Sequence, residues 1–208
     1  MFIETLTKYI GECKPILISE VFDLFPNYSK AQIYRFIKKA IDNKKLVKYS
    51  VGVYFIPQKG SFGLKTITAD EVVEKKYMYD KNNKYGVYGG ITVLNQFQMT
   101  TQLPANTVII TNKETSRCRR IMINNRMFIL KQSRVEITSS NAAIYQLVQL
   151  FDEIKKDEEI NCFTKELAIT YIKNNNIKIE EILKLSLSFP LQTLKNIIRS
   201  GIINEIAW

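Results

Sequence analysis

The sharpest chemical pattern in the sequence lies within residues 29–43, where Lys30, Gln32, Arg35, Lys38 and Lys39 recur on one side of a helical period. Such a set can work on a nucleic-acid duplex. Glutamine pairs bidentately with adenine and arginine with guanine, so Gln32 and Arg35 are candidates for base readout. Lys30, Lys38 and Lys39 suit phosphate oxygens, with Tyr34 and Ser29 beside them. Lys48 and Lys59, further along, would add backbone contacts. The same pattern also describes a solvated face on a module that docks another protein, and that reading stays open.

Other chemistry is scarce. The sequence has no histidine, which removes Ser–His–Asp and Cys–His nucleophiles and His-ligated zinc. Cys13, Cys118 and Cys162 are far apart, with no metal-ligand spacing; they fit reduced thiols in a cytoplasm. Two Glu-x-Lys triplets, Glu74-Lys75-Lys76 and Glu153-Ile154-Lys155, have the spacing of metal-dependent nuclease signatures. Both fall in amphipathic helical stretches, where chance spacing explains them. Gly89-Gly90 is Gly-rich, yet no GxxxxGK[ST] or GxGxxG surrounds it, so a tight strand-to-helix turn is the better reading. No enzyme activity, metal or cofactor is expected.

Elements must position the basic stripe. Its apolar complement is Ile33, Phe36, Ile37, Ala40 and Ile41, at i, i+3, i+4, i+7 and i+8. Ser29 and Gln32 form an S-x-x-Q capping box at the start. Two shorter amphipathic stretches precede it, residues 2–10 and 18–25, with Gly11 and Pro15 between them. Two β-prone runs follow, flanking Ser50-Val51-Gly52, where Gly52 supplies a turn. Helices followed by a hairpin predict a winged helix-turn-helix, in which the third helix enters the major groove.

Beyond it, residues 58–69 read as a polar linker and residues 68–79 as a helix capped by Thr68 or Asp70. Residues 81–86 read as a polar loop. A helix begins after Gly89-Gly90 and runs to about Phe97, burying Ile91, Leu94 and Phe97. Residues 107–111, 118–123 and 127–131 are β-prone, with a turn at Asn124-Asn125. This region carries Lys113, Arg117, Arg119, Arg120, Arg126, Lys131 and Arg134 with one nearby acid, Glu114. It is either a second polyanion surface or a sheet edge kept soluble by charge. From Ser140 the pattern is helical. Ile144, Leu147, Val148, Phe151 and Ile154 form a stripe, Asp157-Glu158-Glu159 follow it, and shorter pieces span 165–173, 180–187 and 190–199. Those pieces complete the second domain's core or offer a docking face.

The expected fold class is α+β: an N-terminal winged helix-turn-helix domain over residues 1–59, then a mixed α/β domain over 60–208 that is mainly helical from 138. The net charge of +10 is uneven. Residues 1–60 hold ten Lys or Arg against five Asp or Glu, residues 61–140 twelve against six, and residues 141–208 eight against nine. A cationic first two thirds suits a polyanionic partner, or a Lys-rich proteome. No apolar run is long enough for a membrane, and the start lacks a signal-peptide pattern; both favour the cytoplasm.

Two stretches resemble AbiEi-type antitoxin regulators of abortive-infection, type IV toxin–antitoxin systems. Gly52-Val53-Tyr54-Phe55-Ile56-Pro57 followed by Phe62-Gly63 is similar to that family's Gly-hydrophobic-Tyr-x-x-Pro … Phe-Gly junction. Tyr88-Gly89-Gly90-Ile91-Thr92-Val93-Leu94-Asn95 with Thr100-Thr101-Gln102-Leu103-Pro104 and Val108-Ile109-Ile110-Thr111-Asn112 is similar to its Tyr-x-Gly … Thr-x-Gln-x-Pro core. The resemblance covers about residues 1–135. It departs at Gln98-Met99, where the family has Gly-Leu, and at Val93, where a small residue is usual. The resemblance implies a winged helix that binds inverted repeats of double-stranded DNA upstream of its own operon and represses it. It further implies a second part that counters a nucleotidyltransferase-like toxin without a tight complex. Operator, toxin and oligomeric state are not implied by the residues.

Overall fold

The computed structural model describes residues 2–61, 63–81, 83–156 and 159–206. It is mixed α and β, in two compact units: residues 1–76 with 123–126, and residues 77–122 with 127–208. The first unit therefore runs past the expected boundary at residue 59.

In the first unit, α1 (Phe2–Tyr9), β1 (Ile16–Leu17), α2 (Ile18–Leu24) and α3 (Lys30–Asp42) precede β2 (Val47–Ser50) and β3 (Val53–Phe55). Gly11 sits at φ +97°, where a side chain would be strained, and this ends α1. Glu20 accepts the Leu17 amide at 2.9 Å and closes the start of α2. The strands form a three-stranded sheet in the order β1-β3-β2. In it Ile16 lies opposite Tyr54, and Val47 opposite Phe55, all antiparallel. Gly52, at φ +71°, turns the β2–β3 hairpin.

The core of this unit gathers Leu6, Ile16, Val21, Ile33, Ile37, Ala40, Leu46, Tyr54 and Ile56. Each of the larger aliphatic side chains contributes about 1.5–3 kcal/mol by leaving water. Phe2 packs its ring 4.9 Å from Phe25 and 5.6 Å from Phe36, which fastens α1 across α3.

Residues 58–69 are not the linker their composition suggests. Gln58–Gly60 and Gly63–Lys65 pair as a second hairpin, β4 and β5, with Gly60 opposite Gly63. Phe62 lies outside the described residues. The next helix, α4 (Ala69–Tyr77), is capped by Thr68: its hydroxyl accepts the Glu71 amide at 3.2 Å and Glu71 accepts the Thr68 amide at 2.6 Å.

The second unit opens with β6 (Tyr79–Asp80) and β7 (Asn83–Lys84), a short hairpin where a loop was expected. Asn82 between them lies outside the described residues. Then come β8 (Gly86–Gly89), α5 (Ile91–Gln96), β9 (Thr107–Thr111), β10 (Arg119–Ile123) and β11 (Arg126–Gln132). The sheet order is β10-β11-β9-β8, with β8 antiparallel and β11 parallel to β9. Asn124 and Asn125 both have positive φ, 44° and 61°, as a two-residue hairpin turn requires.

Helices α6 (Ala142–Glu153), α7 (Cys162–Asn174), α8 (Ile179–Ser186), α9 (Leu191–Arg199) and α10 (Ile202–Ile206) complete it. Ile144, Leu147, Val148, Phe151 and Ile154 are buried as the stripe foretold. Ala168, Ile172, Ile182, Ile197 and Ile202 from the later helices join them, together with Val87 and Ile110 of the sheet. The C-terminal helices are thus the shell of this core. Asp157 and Glu158 lie outside the described residues. Asn196 is buried and donates to the carbonyls of Phe151 (2.9 Å) and Ile154 (3.2 Å), satisfying acceptors that the end of α6 leaves open. In α5 the expected buried face shifts: Val93 and Phe97 are in the core, while Ile91 is exposed. No helix among the described residues is long and apolar enough to cross a membrane.

Candidate nucleic-acid interface

The basic stripe begins at a well-made helix start. The Ser29 hydroxyl accepts the Gln32 amide at 3.3 Å, and the Gln32 side-chain oxygen accepts the Ser29 amide at 2.9 Å. Ile33, Ile37 and Ala40 point into the core, so Ser29, Lys30, Gln32, Tyr34, Arg35, Lys38 and Lys39 are all exposed. Arg35 and Lys38 share the outermost line of the helix, and Asp42 follows one turn later. Cations therefore run along the whole helix, from Lys30 and Arg35 in its first two turns to Lys38 and Lys39 near its end, where Asp42 offsets them in part. The neighbouring α2 buttresses those turns: Lys30 Nζ lies 5.5 Å from the Phe22 ring centre, and Tyr34 meets the same ring edge-on at 5.9 Å.

The cap has a chemical consequence for Gln32. Bidentate pairing with adenine needs both the amide oxygen and the amide nitrogen. The oxygen is already engaged by Ser29. Gln32 keeps its NH2 donors, and Arg35 is left as the residue on this face equipped for bidentate readout.

Lys48 is exposed on β2, opposite Tyr54 in the register. Burial, and after it the neighbouring Tyr34 phenol, pushes the Tyr54 phenol up. Lys59 is exposed as well, but on β4 and not on the β2–β3 hairpin. The tip of that first hairpin is apolar: Val51 is 89% exposed. Sequence reasoning passed over Lys44 and Lys45, both exposed in the turn from α3 to β2. Lys44 has φ +56°. Their position directly after the helix was the available signal.

The second group of cations, in residues 113–134, is matched in part: three of its seven members meet a carboxylate. Arg119 donates to Glu114 at 2.6 Å, and the Glu114 side chain is only 4% exposed. Burial pushes that carboxyl up, but the Ser116 amide and the Arg119 guanidinium outweigh it and hold it below the usual carboxylate range. Arg126 pairs with Asp70. Arg134 lies 3.6 Å from Asp152 and stacks 5.2 Å from the Phe189 ring centre. Lys113 sits 3.8 Å above the Tyr85 ring. Arg117, Arg120 and Lys131 have no carboxylate partner among the described residues. The single acid expected nearby is thus joined by Asp70 and Asp152, distant in sequence.

The Gly89-Gly90 pair is a tight turn. A Cβ on Gly89 would lie 2.9 Å from Ile110 Cδ1, and Gly90 adopts φ +60°. The Gly90 amide donates to Glu153 Oε1 at 2.9 Å, so a carboxylate of this chain caps α5. Glu153 also accepts from Gln149 at 2.9 Å. In the other triplet, Lys75 bonds Glu20 at 2.9 Å and the Pro15 carbonyl at 2.7 Å. No group of three or more His, Cys, Asp or Glu suited to a metal occurs among the described residues.

The arrangement is a capped, outward-facing cationic helix followed by a short hairpin. The chain belongs to a family of unknown function (DUF6088), whose profile matches residues 15–185. No curated protein and no solved structure matches the chain.

Proposed function

We propose that the chain is a cytoplasmic DNA-binding transcriptional regulator whose N-terminal unit works as a winged helix-turn-helix. One observation carries the reading: Arg35 and Lys38 stand exposed on the outer line of α3, whose other side is core. The element order α1-β1-α2-α3-β2-β3 and the sheet order β1-β3-β2 support it, because they leave α3 flanked by a hairpin. In this mechanism Arg35 reads a base edge, Gln32 offers its NH2 donors, and Lys30, Lys38, Lys39 and Lys48 meet phosphates. Lys59, on β4, is a backbone contact outside the wing. The resemblance to AbiEi-type antitoxins extends the proposal to autorepression and to antagonism of a nucleotidyltransferase-like toxin.

The test is a gel shift on the DNA upstream of the chain's own gene, at two salt concentrations. A shift that weakens steeply with salt supports the reading. A second reading is favoured by Val51 and the half-exposed Tyr34, apolar surface beside the cations. It takes the same unit as a module that docks a partner protein. No shift together with a stable co-purified complex would select it.

A further inference from the structure

The second unit contains a cleft of about 770 Å³, independent of the α3 surface, whose lining includes Arg117, Lys131, Arg134, Tyr145, Asp152 and Glu153. That volume lies within the ~300–1,000 Å³ typical of small-molecule sites. Its charges are of both signs, and their pairing decides what they offer. Asp152 is engaged twice, accepting the Thr193 hydroxyl at 2.7 Å and facing Arg134 at 3.6 Å. Arg134 is therefore offset in part by Asp152 and stacked on Phe189. Arg117 and Lys131 remain as cations without a carboxylate partner among the described residues. Glu153 takes both of its hydrogen bonds, from Gly90 and Gln149, on Oε1, so Oε2 keeps acceptor capacity.

We propose that this cleft binds a small phosphate monoester bearing hydroxyl groups, a sugar phosphate or nucleoside monophosphate, with Arg117 and Lys131 on the phosphate and Glu153 accepting from a hydroxyl. Cations bind phosphate by charge-assisted hydrogen bonds, and a carboxylate is a natural partner for a sugar hydroxyl. The carboxylates also argue against a nucleic-acid strand here. A continuous phosphate backbone would meet Asp152 and Glu153 and be repelled, whereas one anionic head with a neutral hydroxylated body suits both sets of groups.

The experiment is calorimetric titration of the full chain with adenosine 5′-monophosphate, ribose 5-phosphate and inorganic phosphate. Either ester should bind with a Kd below about 1 mM. Arg117→Ala and Lys131→Met should each weaken it by about tenfold or more, as loss of a charged hydrogen bond does. Glu153→Gln should weaken the esters and leave inorganic phosphate as it was. Unchanged melting of each variant shows that the fold is intact, and Lys131→Met keeps the apolar stem. Three results would overturn the proposal: no heat with either ester, binding that survives the Arg117/Lys131 double change, or esters bound no better than phosphate and indifferent to Glu153→Gln. If the double change weakens duplex DNA while neither ester binds, the cations serve a polyanion surface and the cleft proposal falls.

Discussion

Ser29 and Gln32 hold each other: hydroxyl to amide at 3.3 Å in one direction, amide to side-chain oxygen at 2.9 Å in the other. The box closes two of the open donors at the start of α3 and fixes the turn that presents Lys30 and Arg35. Ser29→Ala should cost about 1 kcal/mol of stability. For a unit of this size that lowers Tm by roughly 4–8 °C. Ser29→Asp keeps the cap, so its Tm should stay near that of the parent while DNA affinity falls through the added negative charge. Melting curves and binding titrations on the three proteins check both halves.

Arg35 is half of the proposed readout and carries its specific part. Arg35→Ala should weaken the best site by about 1–3 kcal/mol and relax base preference at one position. Gln32→Ala should relax a second position less, because its oxygen serves the cap. Selection of bound sequences from a randomised duplex pool would show this; unchanged preferences for both variants would remove the groove assignment.

Gly90 turns β8 into α5 at φ +60°, with Val108 Cγ2 3.0 Å from where a Cβ would stand. Gly90→Ala adds backbone strain and a steric conflict, and should cost about 1–3 kcal/mol. Urea denaturation measures it, through a lower midpoint at unchanged slope.

Glu114 supplies a pH dependence. Its carboxyl, held below the ordinary value of 4.5, binds protons more weakly in the folded chain than in the unfolded one. Its contribution is complete above that value and is lost as pH falls through the lowered one. Replacing it with Gln should reduce stability at neutral pH and flatten the acid limb of the stability–pH curve. Denaturation series from about pH 6 down to pH 3 test this; an acid limb as steep as the parent's would contradict it.

Much of the first unit was legible because its signals are local. The i, i+3, i+4 spacing from Ile33, the Ser29–Gln32 box and the turn at Gly52 each lie within a few residues. Asn124-Asn125 and Gly89-Gly90 were legible for the same reason: the backbone at those points favours few residues. What was missed is non-local. Ile16–Leu17 becomes a strand only by lying against Val53 and Tyr54. Gln58-Lys59-Gly60 has the composition of a linker, and only pairing with residues 63–65 makes it a hairpin. In α5 the apolar residues Ile91, Val93, Leu94 and Phe97 do not mark a single face in sequence, and only packing in the core decides that Val93 is buried while Ile91 is exposed. Arg126 and Arg134 read as unmatched because their partners, Asp70 and Asp152, lie outside the basic stretch itself. The cleft, assembled from β9, β11, α6 and the segment before β10, left no trace in any one stretch.

The central claim is that the outer line of α3 neutralises DNA phosphates and reads a base. Fluorescence anisotropy on the chain's own upstream duplex, across a salt series, tests it most directly. Log affinity should fall linearly with log salt for the parent. Lys38→Ala should lower affinity for every sequence alike and reduce the slope by about one. A parent that binds specific and scrambled duplexes equally, or a Lys38→Ala protein with the parent's slope, would contradict the account.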